Sequence, residues 1–443
     1  MSALMLGRGA KAKGAKKRRR PHSTEYNMLL TATLCLLALG AVMVFSASST
    51  TRVLQDGGLS DSAFYLKRTL MFGAVGLLIM HFVARHGIEF VRKLTPVILG
   101  TSFFLLLAVL VVGTEVNGAS RWLGGGFLQI QPSEIAKVAL VLYAADLLAN
   151  KPKRARTLEG FMPLLVIVGV SCLLIMLEPD MGTTMVITFA IGATLVAAGV
   201  RPADLGKIAL VIAVLALLMA VIEPYRMARL TAFLNPTADA SGADFQAAQA
   251  KIALGSGGLF GVGIGNGVQK AFYLPEAHTD MISAVIGEEL GLVGIAGVVG
   301  LFGMFGYAGV KTAQKARDNY SKILVAGLTS LVLVQATINL FAVMGLAPLT
   351  GVPLPFVSYG NSSLMACLFA VGLILNVAGG GRAAARKSTP TRAGKLRVVQ
   401  GGRSPARERS RASGARKAKG SGGGGGNRGA RRARHGSRRR ASG

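Results

Sequence analysis

The chain has 443 residues, of which 51% are hydrophobic and 16% charged, and its mean hydropathy is +0.49. A water-soluble protein of this size could not bury so much apolar surface beneath a charged exterior. The composition therefore excludes the soluble classes and indicates an integral membrane protein. The 50 basic residues outnumber the 20 acidic ones, and the excess lies at the two ends: eight Lys and Arg fall in residues 1–26 and 20 in residues 381–443.

Ten apolar segments follow one another through the body of the chain, and each has the roughly 17–25 residues that a helix needs to cross the hydrocarbon. Their approximate cores are residues 27–47, 69–85, 95–114, 133–149, 161–177, 182–200, 205–222, 281–308, 322–344 and 361–380. We therefore predict an all-α polytopic membrane protein with about ten transmembrane helices, which form one membrane domain over residues 27–380.

The distribution of Lys and Arg predicts which side each loop faces, because cytoplasmic loops carry an excess of both. With the N-terminus in the cytoplasm, every loop on the cytoplasmic side contains basic residues, whereas the opposite-side loops 178–181 and 345–360 contain none. This arrangement predicts cytoplasmic termini and a large extracytoplasmic loop, about 223–280, between spans 7 and 8.

The two basic tails, residues 1–26 and 381–443, are expected in the cytoplasm, and the second is expected to be disordered because it is rich in Gly, Ser and Arg. Such tails bind anionic lipid head groups. No nucleic-acid partner is expected, since residues 381–443 contain no aromatic side chain that could stack on a base.

Ionisable residues in or beside membrane spans are costly and are therefore candidates for function. In the first of four motifs, Ser133 is expected to cap a helix on which Glu134 and Lys137 share a face. The two form either an intrahelical ion pair or, together with Arg121, a site for an anionic group such as a pyrophosphate. In the second motif, Glu178-Pro179-Asp180, the two carboxylates bind a divalent cation or serve as acid and base, or Asp180 is a helix cap; we favour the cap.

The third motif runs from Tyr273 to Asp280 and contains Glu276 and His278. Asp280, at the outer end of a span, is suited to act as a general base; the alternative is a helix cap or an ion pair. On a continuous helix Asp280 would head a stripe of small residues, with Glu288 nearer to it than Glu289. The stripe consists of Ala284, Gly287, Gly291 and Gly294.

The fourth motif, residues 348–363, contains three prolines and cannot continue a helix. We expect a re-entrant loop on the outer side, with the hydroxyls of Ser358 and Ser362 available to bind a sugar or a phosphate. The Gly-rich run 255–267 lacks the Lys and Ser or Thr that end a nucleotide-binding loop, so we assign it no nucleotide.

Together these motifs resemble the SEDS family of bacterial peptidoglycan glycosyltransferases. The resemblance rests on GASRWLGGGFLQIQPSEIAK, EPDMGTT, LPEAHTD followed by GEELG, and GVPLPFVSYGNSS, which stand in the family's order across residues 27–380. Ala277 within LPEAHTD, the preceding Gln269-Lys270 and the long basic tail favour the division members over the elongation and sporulation members. The chain departs from the family pattern at Met281-Ile282-Ser283 and at Asn361.

The resemblance implies that the protein polymerises lipid II into glycan strands at the outer face of the bacterial cytoplasmic membrane, at the division septum. Asp280 matches the family's essential aspartate and would be the general base. Arg121 and Lys137, or a divalent cation such as Mg or Mn, would compensate the charge of the departing undecaprenyl pyrophosphate.

The implied partners are lipid II, a cognate class B penicillin-binding transpeptidase and other division proteins. The sequence carries no transpeptidase signature, so the transpeptidase is expected to be another chain. The rival hypotheses are a lipid II flippase, which should show inverted repeats and symmetrically placed broken helices, and an elongation-type polymerase.

Overall fold

The computed structural model describes residues 23–55, 62–116, 119–125, 129–150, 157–222, 243–271 and 273–380. The predictions for residues 1–22 and 381–443 lie outside the described residues, and so does part of the predicted outer loop, residues 223–242. The division of the chain into a membrane domain and two tails therefore stays a prediction.

All ten predicted apolar segments coincide with helices. A shorter helix, α8, lies inside the predicted outer loop between spans 7 and 8. The helices are α1 (Thr24–Gln55), α2 (Phe64–His86), α3 (Ile88–Val112), α4 (Pro132–Asn150), α5 (Leu158–Leu177), α6 (Met181–Ala198), α7 (Pro202–Ile222), α8 (Ala243–Ser256), α9 (Ile282–Lys315), α10 (Asn319–Val343) and α11 (Asn361–Ala378).

Eight of these helices are long and apolar enough to cross a membrane, which confirms the polytopic helical fold. They are α1, α2, α3, α5, α6, α9, α10 and α11. Helices α4 and α7 do not meet the same criterion over the described residues, and α4 carries Glu134, Lys137 and Asp146 within 19 residues. The count of ten spans therefore stays a prediction.

Helices α10 and α11 form the centre of the bundle, where 72% of each apolar window is buried. Helices α3 and α5 lie at the periphery, with 22% of each window buried. The periphery exposes large apolar side chains such as Val97 and Phe104 on α3. Such an exterior suits lipid, since acyl chains are as apolar as these side chains.

The two strands among the described residues form a small antiparallel hairpin of β1 (Thr114–Val116) and β2 (Ala119–Trp122). It lies between α3 and α4. An isolated bridge between Leu123 and Ile130 extends it toward α4. The hairpin thus places Arg121 close to the start of α4.

Helix α9 is broken at Gly291, whose φ of 65° and ψ of −162° are not helical. A side chain would not tolerate this conformation, because a Cβ on Gly291 would lie 2.4 Å from the backbone nitrogen of Gly261. The predicted stripe headed by Asp280 is therefore wrong. Asp280 precedes the helix, and the break puts Gly294 out of phase with Ala284 and Gly287.

Candidate active site

Asp280 lies in a turn that ends just before α9, and it is half-buried. The first residue of the helix is Ile282 and the cap position is Met281, so Asp280 is not the helix cap. Its backbone carbonyl accepts a 2.7 Å hydrogen bond from the Asn339 side chain on α10. The hydroxyl of Thr279 lies 3.3 Å from Asp280 Oδ1 and 3.0 Å from a carboxylate oxygen of Glu276, so it lies between the two acids and can donate to either one.

The loop between α10 and α11, residues 344–360, forms the other wall of this site. It packs against the middle of α1, because a Cβ on Gly40 would lie 2.6 Å from the carbonyl oxygen of Phe356 and 2.7 Å from Val357 Cα. Phe356 and Val357 are buried. The depth of these contacts supports the predicted re-entrant loop, since irregular backbone inside a membrane protein must be covered by protein or line a cavity.

His278 lies between two aromatic rings. Its ring centroid is 4.3 Å from that of Tyr65 on α2 and 5.5 Å from that of Tyr359, and its carbonyl accepts a 2.9 Å hydrogen bond from the Tyr359 backbone. Burial raises the pKa of Tyr359, and the neighbouring Arg68 guanidinium opposes that rise. Arg68 is therefore a buried cation beside the aromatic cluster, and the sequence analysis missed it.

Asp180 caps α6, as predicted: its Oδ1 accepts a 3.0 Å hydrogen bond from the backbone of Thr183. The other oxygen accepts a 3.2 Å hydrogen bond from the side chain of Gln131. Arg121 donates from Nε to the Glu178 carbonyl at 3.0 Å and from Nη2 to the Pro179 carbonyl. Arg121 is thus brought to the Glu178–Asp180 turn, not to Lys137.

Residues 350–352 are approached both by the start of α6, which follows the Glu178–Asp180 turn, and by Asp280. A Cβ on Gly182, at the start of α6, would lie 2.6 Å from the Thr350 carbonyl oxygen and 2.5 Å from a Val352 methyl. Asp280 Oδ2 lies 3.8 Å from the Cβ position of Gly351. Three motifs that are far apart in sequence therefore meet at one short stretch of backbone.

Glu134 and Lys137 form the predicted ion pair, with Lys137 Nζ 2.9 Å from both carboxylate oxygens. Each residue is 2% exposed. Lys137 Nζ also donates at 2.9 Å to Gln335 on α10, whose amide in turn donates to the Pro353 carbonyl at 3.0 Å. The pair therefore supports the re-entrant loop from inside the bundle, and its role in binding an anionic group stays a prediction.

The predicted cap at Ser133 is wrong, because α4 already begins at Pro132. A proline suits this first position, where its missing N–H costs nothing. Among the described residues the buried Ser133 hydroxyl has no hydrogen-bond partner.

The hydroxyls of Ser358 and Ser362 are both hydrogen-bonded to backbone groups. Ser358 Oγ accepts a 2.8 Å hydrogen bond from the Leu354 backbone and closes its own turn. Ser362 Oγ accepts from the Gln131 backbone at 3.1 Å and donates to the Gln129 carbonyl at 3.4 Å. These hydroxyls thus hold the loops in place, and their binding of a sugar or a phosphate stays a prediction.

Glu288 faces the loop that precedes Asp280. Its Oε1 accepts hydrogen bonds from the backbone of Val268 at 2.7 Å and of Gln269 at 3.1 Å. The predicted pairing of Glu288 with Asp280 at one site is thus replaced by a contact that anchors the loop.

Asn339 and Gln335 are the central polar residues that the sequence analysis missed. They lie four residues apart on one face of α10, both at most 2% exposed. Asn339 donates to the carbonyls of Asp280 and Val352 and accepts from Ser283 at 2.9 Å. Two uncharged amides at this spacing in an apolar span were a signal, because buried amides require partners.

No group of three or more His, Cys, Asp or Glu side chains among the described residues is arranged to hold a metal ion. The divalent cation stays a prediction, and Mg²⁺ commonly binds through one or two carboxylates and substrate phosphates.

The family model described as "cell cycle protein", which covers FtsW, RodA and SpoVE, matches residues 26–382. The chain is 39% identical over 360 residues to the "probable peptidoglycan glycosyltransferase FtsW" of Trichlorobacter lovleyi, covering 80% of this chain and 94% of that protein. It is 41% identical over 356 residues to the stage V sporulation protein E of Bacillus subtilis, covering 79% and 96%.

Two solved structures share the fold. One comes from a study of polymerization and crosslinking by a peptidoglycan synthase complex, with a TM-score of 0.65, 28% identity and coverage of 79% of this chain and 96% of that chain. The other is the rod shape determining protein RodA of Thermus thermophilus, with a TM-score of 0.58, 28% identity and coverage of 79% and 95%. The chain belongs to the FtsW/RodA/SpoVE family, the SEDS family, and is FtsW-like.

Proposed function

We propose that the protein is a peptidoglycan glycosyltransferase that polymerises lipid II during cell division, with Asp280 as general base. The relatives named as FtsW glycosyltransferases support the reaction class. The observation that carries the assignment within this chain is the meeting of Asp280, the re-entrant loop and the Glu178–Asp180 turn at residues 350–352.

Asp280 is the carboxylate best suited to exchange a proton with a substrate. Asp180 and Glu288 are at most 5% exposed, and each accepts hydrogen bonds from the protein. Glu134 is 2% exposed and paired with Lys137. Asp280 is half-buried in the turn before α9, so an acceptor sugar can approach it while its carboxylate remains partly shielded from water.

In the proposed step, the 4-hydroxyl of the acceptor sugar attacks the anomeric carbon of the donor. The hydroxyl proton passes to Asp280 as the new glycosidic bond forms, and the bond to undecaprenyl pyrophosphate breaks with its electron pair on the leaving oxygen. A positioned base contributes typically about 10²–10⁴-fold to such a step. Arg121, which donates a hydrogen bond to the Glu178 carbonyl, would offset the charge on the leaving group.

A flippase is the alternative of a different class. Transporters of that kind place broken helices symmetrically in two repeats. Within the described residues, Gly291 in α9 is the one residue inside a helix whose φ and ψ angles are not helical. The asymmetry favours an enzyme with a single outer site.

We further propose that the protein acts at the division septum, with both termini in the cytoplasm. Its proposed partners are a class B penicillin-binding transpeptidase, other division proteins and, through the basic tails, anionic lipids. The structural match to a peptidoglycan synthase complex supports a penicillin-binding partner. Mg or Mn is the proposed cation.

The test is polymerisation of labelled lipid II by purified protein with its transpeptidase partner, comparing wild type with Asp280→Asn. Asp204→Asn is the matched control, since Asp204 lies on α7 and forms a 3.8 Å ion pair with Lys207. We expect polymer from wild type and from the control, and a loss of at least 100-fold in Asp280→Asn. Retained activity in Asp280→Asn would exclude the general base, and transport of lipid II across vesicles without polymer would favour the flippase.

A further inference from the structure

Lys270 and Glu289 form a buried ion pair at the base of the segment that carries Asp280. Lys270 Nζ lies 2.5 Å from Glu289 Oε1, and the two side chains are 2% and 0% exposed. Ser46 on α1 completes the contact: its hydroxyl accepts from Lys270 at 2.9 Å and lies 2.8 and 2.7 Å from the two Glu289 oxygens. We refer to Ser46, Lys270 and Glu289 as the latch.

The latch closes the chain on itself around Asp280. Lys270 and Glu289 are 19 positions apart, and Asp280 lies between them, ten residues after Lys270 and nine before Glu289. The closed segment is thus a ring with the proposed base near its midpoint. Ser46 joins the base of the ring to α1, a helix distant in sequence.

Backbone contacts beside the latch hold the same two sides of the ring together. The break in α9 leaves the carbonyls of Glu288 and Glu289 without helical partners, and they accept hydrogen bonds at 3.0 Å from Val262 and Gly263. Beyond the break, the amides of Leu292 and Val293 donate to the carbonyls of Gly258 and Leu259 in the Gly-rich run 255–267. This segment therefore fills the break with its own backbone.

A buried ion pair is an inefficient way to stabilise a fold, because the desolvation of both charges offsets most of their attraction. An apolar pair of similar volume would serve stability equally well. A pair of charges with a third hydrogen-bonding group does, however, fix one geometry. A general base needs a fixed position relative to its substrate, since a misplacement of about 1 Å can lower the rate about a hundredfold.

We propose that the latch is a positioning device that holds the ring closed so that Asp280 stays aligned with the acceptor hydroxyl. Lys270, Glu289 and Ser46 act through the backbone of the ring and do not touch the substrate. This inference rests on the proposed polymerase function.

The test replaces both charges together, because a single change would leave one buried charge unpaired. In Lys270→Met/Glu289→Leu we expect a thermal midpoint close to that of wild type, kcat for lipid II polymerisation at least tenfold lower and KM changed less than threefold. Hydrogen exchange across residues 273–281 should be at least tenfold faster. The control is Arg92→Gln/Asp146→Asn, which removes a 2.6 Å ion pair between α3 and α4 far from the ring. This variant should change neither kcat nor the rate of hydrogen exchange across residues 273–281.

Unchanged kcat and unchanged hydrogen exchange in the latch variant would overturn the proposal. A fall in kcat that is accompanied by a matching fall in the thermal midpoint would also overturn it, because lost stability would then explain the lost activity. If the double variant does not fold, Ser46→Ala keeps both charges paired and should lower kcat about threefold with faster exchange across 273–281. Unchanged values there would likewise overturn the proposal. The exchange measurement does not depend on activity, so a wild type that makes no polymer would contradict the proposed function without deciding the latch.

Discussion

Asp280 and Gly351 face each other across the site: Asp280 Oδ2 lies 3.8 Å from the position that a Cβ would take on Gly351. Gly351 has a φ of +71°, in the left-handed region that L side chains rarely adopt. The backbone opposite the proposed base is therefore both close to the carboxylate and restricted to glycine.

Gly351→Ala should lower polymerisation about tenfold, because the methyl group would stand beside the Asp280 carboxylate and the left-handed backbone would add strain of about 1–2 kcal/mol. Gly380→Ala is the matched control, since Gly380 has a φ of +81° and open space around its Cβ position. Both variants should lose a similar amount of stability, measured by thermal unfolding. An equal loss of activity in the two would show that the position next to Asp280 has no special role.

Asn339→Asp should lower both stability and activity. The change keeps the shape of the side chain but removes the amide donor, so the carbonyls of Asp280 and Val352 lose their hydrogen bonds and face a carboxylate. Each buried carbonyl left unsatisfied costs about 1–3 kcal/mol. Thr337→Ala on the exposed side of α10 is the control, because its hydroxyl bonds only its own helix. A wild-type polymerisation rate in Asn339→Asp would mean that Asp280 is held by other contacts.

The sequence was sufficient to predict the helices, because runs of apolar residues about 20 long have few alternatives in a membrane. It was also sufficient to predict the cap at Asp180 and the pair of Glu134 with Lys137, since both are local and need only helical spacing. The break at Gly291 could not be predicted by helical periodicity, because it depends on hydrogen bonds from a Gly-rich segment some 30 residues away in sequence.

The hydrogen-bond partners of Asp280, Arg121 and Ser362 could not be predicted from the sequence either, because tertiary packing alone brings them together. These partners are, in the same order, the Asn339 side chain, the Glu178 carbonyl and the Gln131 backbone. One residue type did carry usable information: a polar amide inside an apolar span needs a partner, and both Gln335 and Asn339 find theirs in the re-entrant loop.

Lys137→Met should destabilise the protein by about 3–5 kcal/mol, because it leaves the Glu134 carboxylate buried without its cation. The double variant Glu134→Gln/Lys137→Met should recover most of that loss, since it removes both charges and keeps the side-chain volumes similar. Chemical unfolding in detergent measures both. If the single variant is as stable as wild type but uses lipid II poorly, Lys137 binds the substrate and the pair is not structural.

Glu178 should make folding stability depend on pH. The residue lies in the turn between α5 and α6, is 1% exposed, and within the described part of the chain neither carboxylate oxygen has a hydrogen-bond partner. Burial, followed by the nearby Asp180 carboxylate, raises the pKa of Glu178 from 4.5 to about 8, against the opposing effect of Arg121. Between these two pKa values the folded protein retains a proton that the unfolded chain has released.

The stabilising effect of that proton is complete below pH 4.5 and is lost as the pH rises through about 8. Glu178→Gln cannot ionise, so its unfolding free energy should fall less steeply between pH 5 and 8, by up to roughly 1 kcal/mol per pH unit. Glu159→Gln is the control, because Glu159 is an exposed residue in the first turn of α5. Unfolding in detergent at pH 5, 6, 7 and 8 measures the slopes, and parallel slopes for wild type and Glu178→Gln would show that Glu178 is ionised in the folded protein.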